Sequence, residues 1–171
     1  MTFLKMAVAA TALVALGACT NADRFGPGGA DAAGGFGANG GIAGSASDPA
    51  SPAFFNETIG DRVLFAVDQS TLSPEAQAVL DQQAVWLMQN VDYRALIEGH
   101  ADEQGTTDYN LALGARRASA VQNYLISRGV APNRLQTISY GKERPIQICS
   151  DETCYSQNRR SVTVITAGAG V

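Results

Sequence analysis

The sequence predicts an α+β fold, a two-layer α/β domain built on a mixed sheet. Three observations predict it. Two segments beyond residue 70 repeat apolar residues at helical spacing between recognisable start and stop residues. Four runs of strand length alternate with or follow them in the order βαβαββ, and no internal repeat is present.

The elements follow in order. Arg62-Val63-Leu64-Phe65-Ala66-Val67 is a short apolar run suited to a buried strand. Ser73-Pro74 starts a helix, with serine at the N-cap and proline at the first helical position. Ala76, Val79, Leu80, Ala84, Leu87 and Met88 carry that helix to about Asn90. Ala95 to Gly99 reads as the second strand, and a second helix runs from about Thr107 to Arg128, closed by Gly129. Gly141 and Pro145 break the chain between two further strands, Leu135 to Tyr140 and Ser161 to Thr166.

Ahead of this domain the chain divides into two parts. Residues 1–18 carry Lys5, an apolar run from Met6 to Gly17 and a small residue, the layout of a secretory signal. That run is shorter than the ~20 residues a membrane span requires. Leu16-Gly17-Ala18-Cys19 resembles a bacterial lipobox, in which Cys19 is acylated and becomes the first residue of the mature chain. An ordinary signal with a coincidental cysteine is the alternative. Acyl chains contribute about 0.8 kcal/mol per buried methylene, so two or more anchor a protein stably. Thr20 follows the cysteine where lipoproteins retained in the inner membrane resemble one another in having aspartate, which implies the outer membrane. Residues 19–53 then read as the lipidated N-terminus and a Gly/Ala-rich tether, about 30–35 Å in r.m.s. span and about 110 Å when stretched. The folded domain is expected over 54–171.

Removing residues 1–18 takes away one charged residue, Lys5, so the net charge moves from −4 to −5. A balance of that sign excludes nucleic acid as a partner, because phosphates demand a basic footprint.

On a helical wheel for residues 107–128, Leu111, Gly114, Ala118, Val121 and Leu125 form one stripe, and Arg116 points away from it. Arg117 lies on the margin of the stripe with Asn110, Leu113 and Tyr124. A guanidinium half removed from water there needs an anionic partner. Asp102, Glu103 and Asp108 are the nearest carboxylates in sequence. Two readings stand: an internal salt bridge to one of them, or an acid and a base set side by side to hold a zwitterionic ligand.

The string from Ile97 through His100, Asp102 and Glu103 to Thr106, with Tyr109-Asn110-Leu111-Ala112-Leu113-Gly114 and Arg116-Arg117-Ala118, closely resembles the peptidoglycan-associated lipoprotein family. The likeness continues through Ile138 to Pro145 and through Asn158-Arg159-Arg160. It implies the OmpA-like peptidoglycan-binding domain, a mixed four-stranded sheet with helices on one face. It also implies non-covalent binding of peptidoglycan stem peptides through meso-diaminopimelate. Asp102 would accept from the ammonium group of that amino acid and Arg117 would pair with its carboxylate. Asp68, Asn110 and Leu113 match further contact positions. The resemblance further implies TolB and other Tol proteins as partners, on a surface overlapping the wall site, and a role in envelope integrity and cell division.

The chain departs from the family at Phe65-Ala66-Val67-Asp68, which lacks one acid and one aromatic of the usual string but keeps Asp68. Gln104 stands where arginine is usual. Cys149 to Cys154 replaces a loop with a histidine and a tryptophan.

With Cys19 acylated, Cys149 and Cys154 remain in one loop of an exported chain, and a disulfide is the natural reading. Free thiols and a metal site are the alternatives. The lone histidine, His100, cannot supply a multi-histidine zinc site. No G-x-S-x-G elbow is present. His100 beside Asp102, or Glu98 paired with Asp102, could be cast as an acid/base pair acting on the wall. Both lie on or beside a strand that reads as structural, so the expectation is a binding protein without catalysis, cofactor or metal.

Overall fold

A computed structural model describes residues 44–167. The signal at 1–18, the lipidation site Cys19 and the tether as far as residue 43 lie outside the described residues. Within them, the chain runs α1 (Pro52–Phe54), a π-helical turn (Phe55–Gly60), β1 (Arg62–Leu64), α2 (Pro74–Gln89) and β2 (Tyr93–His100). It continues with α3 (Thr107–Ser127), β3 (Leu135–Gly141), α4 (Glu152–Asn158) and β4 (Arg160–Ala167). The strands form one mixed sheet in the order β1-β4-β2-β3. β4 pairs antiparallel with both β1 and β2, whereas β2 pairs parallel with β3. This is the α+β arrangement expected, with α2 and α3 covering one face.

The two long helices begin where their capping residues require. Ser73 accepts from the Ala76 amide and Thr106 from the Tyr109 amide. Gly129 lies at φ 102° just past α3, the left-handed conformation that lets the chain turn back. Leu80, Ala84 and Leu87 of α2 meet Ala118, Val121 and Leu125 of α3 and Ala95 and Ile97 of β2 in the core. Each fully buried leucine or isoleucine contributes about 2 kcal/mol of transfer free energy. Met88, counted with the core stripe from its spacing, is exposed.

One contact sets the depth of α3. A Cβ on Gly99 would lie 1.9 Å from the Gly114 carbonyl oxygen, and one on Gly114 would lie 2.8 Å from that of Gly99 and 2.4 Å from Ser139 Oγ. Strand and helix backbones therefore touch with no side chain between them. This approach turns α3 so that Arg117 faces inward and Leu111, expected in the core stripe, is 47% exposed.

Three elements differ from the sequence reading. Residues 44–53, read as the end of the tether, are tied to the domain. Trp86 Nε1 donates to the Pro49 carbonyl (2.7 Å), and Ser51 Oγ donates to Ser45 O (2.5 Å) and Asp48 O (2.8 Å). Phe55 packs on Trp86 with ring centroids 5.0 Å apart. The first strand ends at Leu64 and not at Val67, because the Ala66 and Gln69 carbonyls turn to Arg117. Lastly, α4 lies between β3 and β4, where βαβαββ has no helix. It is capped by Asp151, whose carboxylate accepts from the amides of Thr153 and Cys154.

Candidate functional site

The site gathers at the ends of β1 and β2 and the start of α3. β1 leads into Val67 and Asp68, and Asp68 is held at φ 56°, in a left-handed turn that aspartate tolerates better than most residues. The Asp68 carboxylate accepts a short hydrogen bond from Tyr109 Oη. β2 leads into Ala101, whose amide donates to Gly141 O (2.8 Å), and then into the loop that carries Asp102. α3 supplies Asn110, whose Nδ2 donates to the Gln104 carbonyl (2.7 Å), and Leu113.

Together these segments enclose a cavity of about 210 Å³ lined by Asp68, Asp102, Asn110 and Leu113, with Val67, Gln104, Gly105 and Tyr109 completing the wall. Val67 and Gln104, two of the positions of departure from the family string, are thus both wall residues. The second carboxylate, Asp102, is only 7% exposed. Its Oδ1 accepts from the Gln104 amide (3.2 Å), and its Oδ2 faces Arg159 Nη1 at 3.2 Å.

Arg117 is not on that wall. It is fully buried, with 0% of its surface exposed, where the wheel placed it at a half-desolvated margin. Nor does it form the internal salt bridge that one of the two readings allowed. Nε donates to Gln69 O (2.8 Å), Nη1 to His100 O (2.8 Å) and Nη2 to Ala66 O (3.2 Å). The guanidinium carbon stands 5.2 Å from the centroid of the Phe65 ring. Three of its five N–H donors are thereby committed to backbone. Burial draws its pKa down to about 10, and Asp102 opposes that shift, so it stays a cation at neutral pH.

The ion pair to Asp102 comes from Arg159 instead. This arginine is also buried, its Nε donates to the Phe65 carbonyl (3.2 Å), and its other terminal nitrogen makes a short contact with Glu152. Glu152, chiefly through that bond, is held below the usual carboxylate range. Arg159 stands between the end of α4 and the start of β4, and its signal in the sequence is its place in the Asn158-Arg159-Arg160 string that carries the family resemblance.

Residues 64–159 match the OmpA family. The chain belongs to that family. It is 54% identical over 130 residues to the peptidoglycan-associated lipoprotein of Rhizobium meliloti, covering 76% of this chain and 73% of the relative. The counterpart in Agrobacterium fabrum is 46% identical over 164 residues, covering 96% and 88%. The crystal structure of the peptidoglycan-associated lipoprotein from Burkholderia pseudomallei aligns with a TM-score of 0.65 at 36% identity, over 70% of this chain and 100% of that one. Family and fold are those read from the strings around Asp102 and Arg117.

His100 lies outside the cavity wall. It is 1% exposed, its ring centroid 5.6 Å from that of Tyr140, and neither ring nitrogen has a hydrogen-bond partner. Nε2 approaches Glu98 Oε2 at 3.4 Å without hydrogen-bond alignment. Burial, followed by the charges of Arg160 and Arg144, lowers its pKa to about 4, so it is neutral at pH 7. Cys149 and Cys154 face each other as a bonded pair with Cα atoms 5.7 Å apart. Asp151 sits beside the two sulfurs, but a bonded pair offers no thiolate to a metal ion. No helix among the described residues is long and apolar enough to cross a membrane.

Proposed function

We propose that this chain is a lipoprotein of the bacterial outer membrane, with its folded domain in the periplasm, that binds peptidoglycan stem peptides non-covalently through meso-diaminopimelate. The observation that carries the reading is the cavity at the start of α3. Two carboxylates, Asp68 and Asp102, open into it, and a buried guanidinium, Arg117, lies behind its wall. Such a site suits a compact zwitterion. Asp102, helped by Asp68, accepts from the ammonium group. Arg117, buried beneath the site, supplies positive charge that favours the carboxylate, and Asn110 and Leu113 pack beside the aliphatic stem. Charge-assisted bonds of this kind contribute about 1.5–3 kcal/mol each. Nothing in this binding calls for a metal, a cofactor or a catalytic step.

In the same reading residues 1–18 are a signal that is removed, Cys19 carries the lipid, and residues 19–43 span from the membrane to the domain. TolB and other Tol proteins are its protein partners, competing with the wall for an overlapping surface, which ties the chain to envelope integrity and cell division.

The test is sedimentation of the detergent-solubilised full-length chain with purified sacculi. Asp102→Asn and Asp68→Asn are compared with wild type after circular dichroism confirms their fold. Binding is expected to fall about tenfold or more for Asp102→Asn. Undiminished binding by both folded variants would overturn the pocket.

A further inference from the structure

Resting on the binding site just proposed, a second relationship concerns what holds Asp102 in place. Residues 102–105 make no backbone-to-backbone hydrogen bond with the sheet among the described residues; the last such bond, from the Ala101 amide to Gly141 O, precedes them. Side chains must place this loop. Asn110 and Lys142 secure its far end, Lys142 Nζ donating to Gly105 O at 2.7 Å.

Its near end is held from one other segment. Ser150 Oγ and Tyr155 Oη both donate to Glu103 Oε1, at 2.7 and 2.8 Å, and together hold that carboxylate below its usual range. Arg159, four residues beyond Tyr155, pairs with Asp102 itself. Ser150 lies inside the short ring closed by Cys149 and Cys154, and Tyr155 directly follows it. The segment is anchored in turn. Asn158 Oδ1 accepts from the Ile146 and Gln147 amides (2.9 and 3.2 Å), and Phe65 N donates to Arg159 O (2.9 Å).

We propose that residues 149–159 form a buttress that sets the position of Asp102, with Glu103, Tyr155 and Arg159 as positioning residues that govern recognition of the ligand's ammonium group. A two-point grip fixes both where the loop stands and which way the carboxylate faces. Loss of either point lets Asp102 swing, and a carboxylate displaced by an ångström no longer meets an ammonium within bonding distance.

Two soluble tripeptides, identical except for ending in meso-diaminopimelate or in 2-aminopimelate, separate this role from general stability, because the second lacks the side-chain ammonium. The full-length chain in detergent is titrated with each. Wild type is expected to prefer the first by about tenfold. Tyr155→Phe and Glu103→Ala, both at the surface, are expected to cut that preference about threefold, the double variant losing no more than Glu103→Ala alone. Arg159→Gln is expected to abolish the preference and Arg159→Lys to restore part of it. Equal weakening toward both peptides, or an unchanged preference in the two surface variants while Asp102→Asn loses it, overturns the buttress and leaves the binding site standing. Wild type that binds neither peptide overturns both.

Discussion

Nη1 of Arg117 donates to the carbonyl oxygen of His100 at 2.8 Å, so the helix arginine holds the strand end from which Asp102 emerges, and not Asp102 itself. With its bonds to Ala66 and Gln69, it also pins the turn that carries Asp68. One cation thus ties together both carboxylate-bearing loops. Arg117→Ala leaves three carbonyls without their donor in the interior and is expected to cost about 3 kcal/mol or more, read as the shift in urea unfolding free energy. Arg117→Lys, which cannot reproduce the fork, should recover only part of that loss.

The contact between Gly99 and Gly114 predicts that Gly114→Ala is poorly tolerated. The added methyl would lie within 2.4 Å of Ser139 Oγ and 2.8 Å of the Gly99 carbonyl oxygen. Helix propensity favours alanine by about 1 kcal/mol, yet overpacking of 1–3 kcal/mol and displacement of α3 oppose it. A net loss of thermal stability is expected, and an unchanged or raised Tm would contradict the close approach.

His100 predicts a pH dependence. Its folded pKa of about 4 lies below the ordinary value of 6.5, so between these values the unfolded chain binds a proton that the folded chain refuses. Stability on this account is complete above about pH 6.5 and falls as the pH drops towards 4, by up to about 3 kcal/mol. The groups that set the ring's charge environment, Glu98, Arg144 and Arg160, are all retained in His100→Gln. That variant should show a smaller loss of stability between pH 7 and pH 4.5 than wild type in matched denaturant titrations.

The bonded pair Cys149–Cys154 predicts sensitivity to reduction. In the chain-entropy picture a ring this short contributes about 2 kcal/mol. Unfolding under oxidising and reducing conditions should differ by that order in wild type and not at all in Cys149→Ser/Cys154→Ser. Mass spectrometry of the alkylated, unreduced chain checks the pairing directly; modification of both cysteines would refute it.

The limits of the long helices were legible because their signals are local: Ser73-Pro74 at one start, Gly129 at one end, and apolar residues repeating on one face. The same Ser-Pro start at Ser51-Pro52 marks α1, but a Gly/Ala-rich neighbourhood with no periodic face masked it. Helix α4, Glu152–Asn158, has too few residues for any period to show, and Asp151 was its one clear sign. β1 reads longer than it is, since nothing in Phe65-Ala66-Val67 reveals that the neighbouring carbonyls belong to an arginine about fifty positions away.

By itself, the sequence determined the two long helices, the presence and order of the four strands, the family through unbroken strings around Asp102 and Arg117, and the departures at Ala66-Val67, Gln104 and Cys149 to Cys154. Only the tertiary structure decided how the charges are shared: Arg117 to three carbonyls, Arg159 to Asp102, and Glu103 to the segment beyond Cys149. The reason is range. Helix starts and apolar periods act over a few residues, whereas a buried guanidinium takes whichever acceptors the packed backbone brings within about 3 Å. For Asp102 and Arg159 that meant a partner 57 residues away.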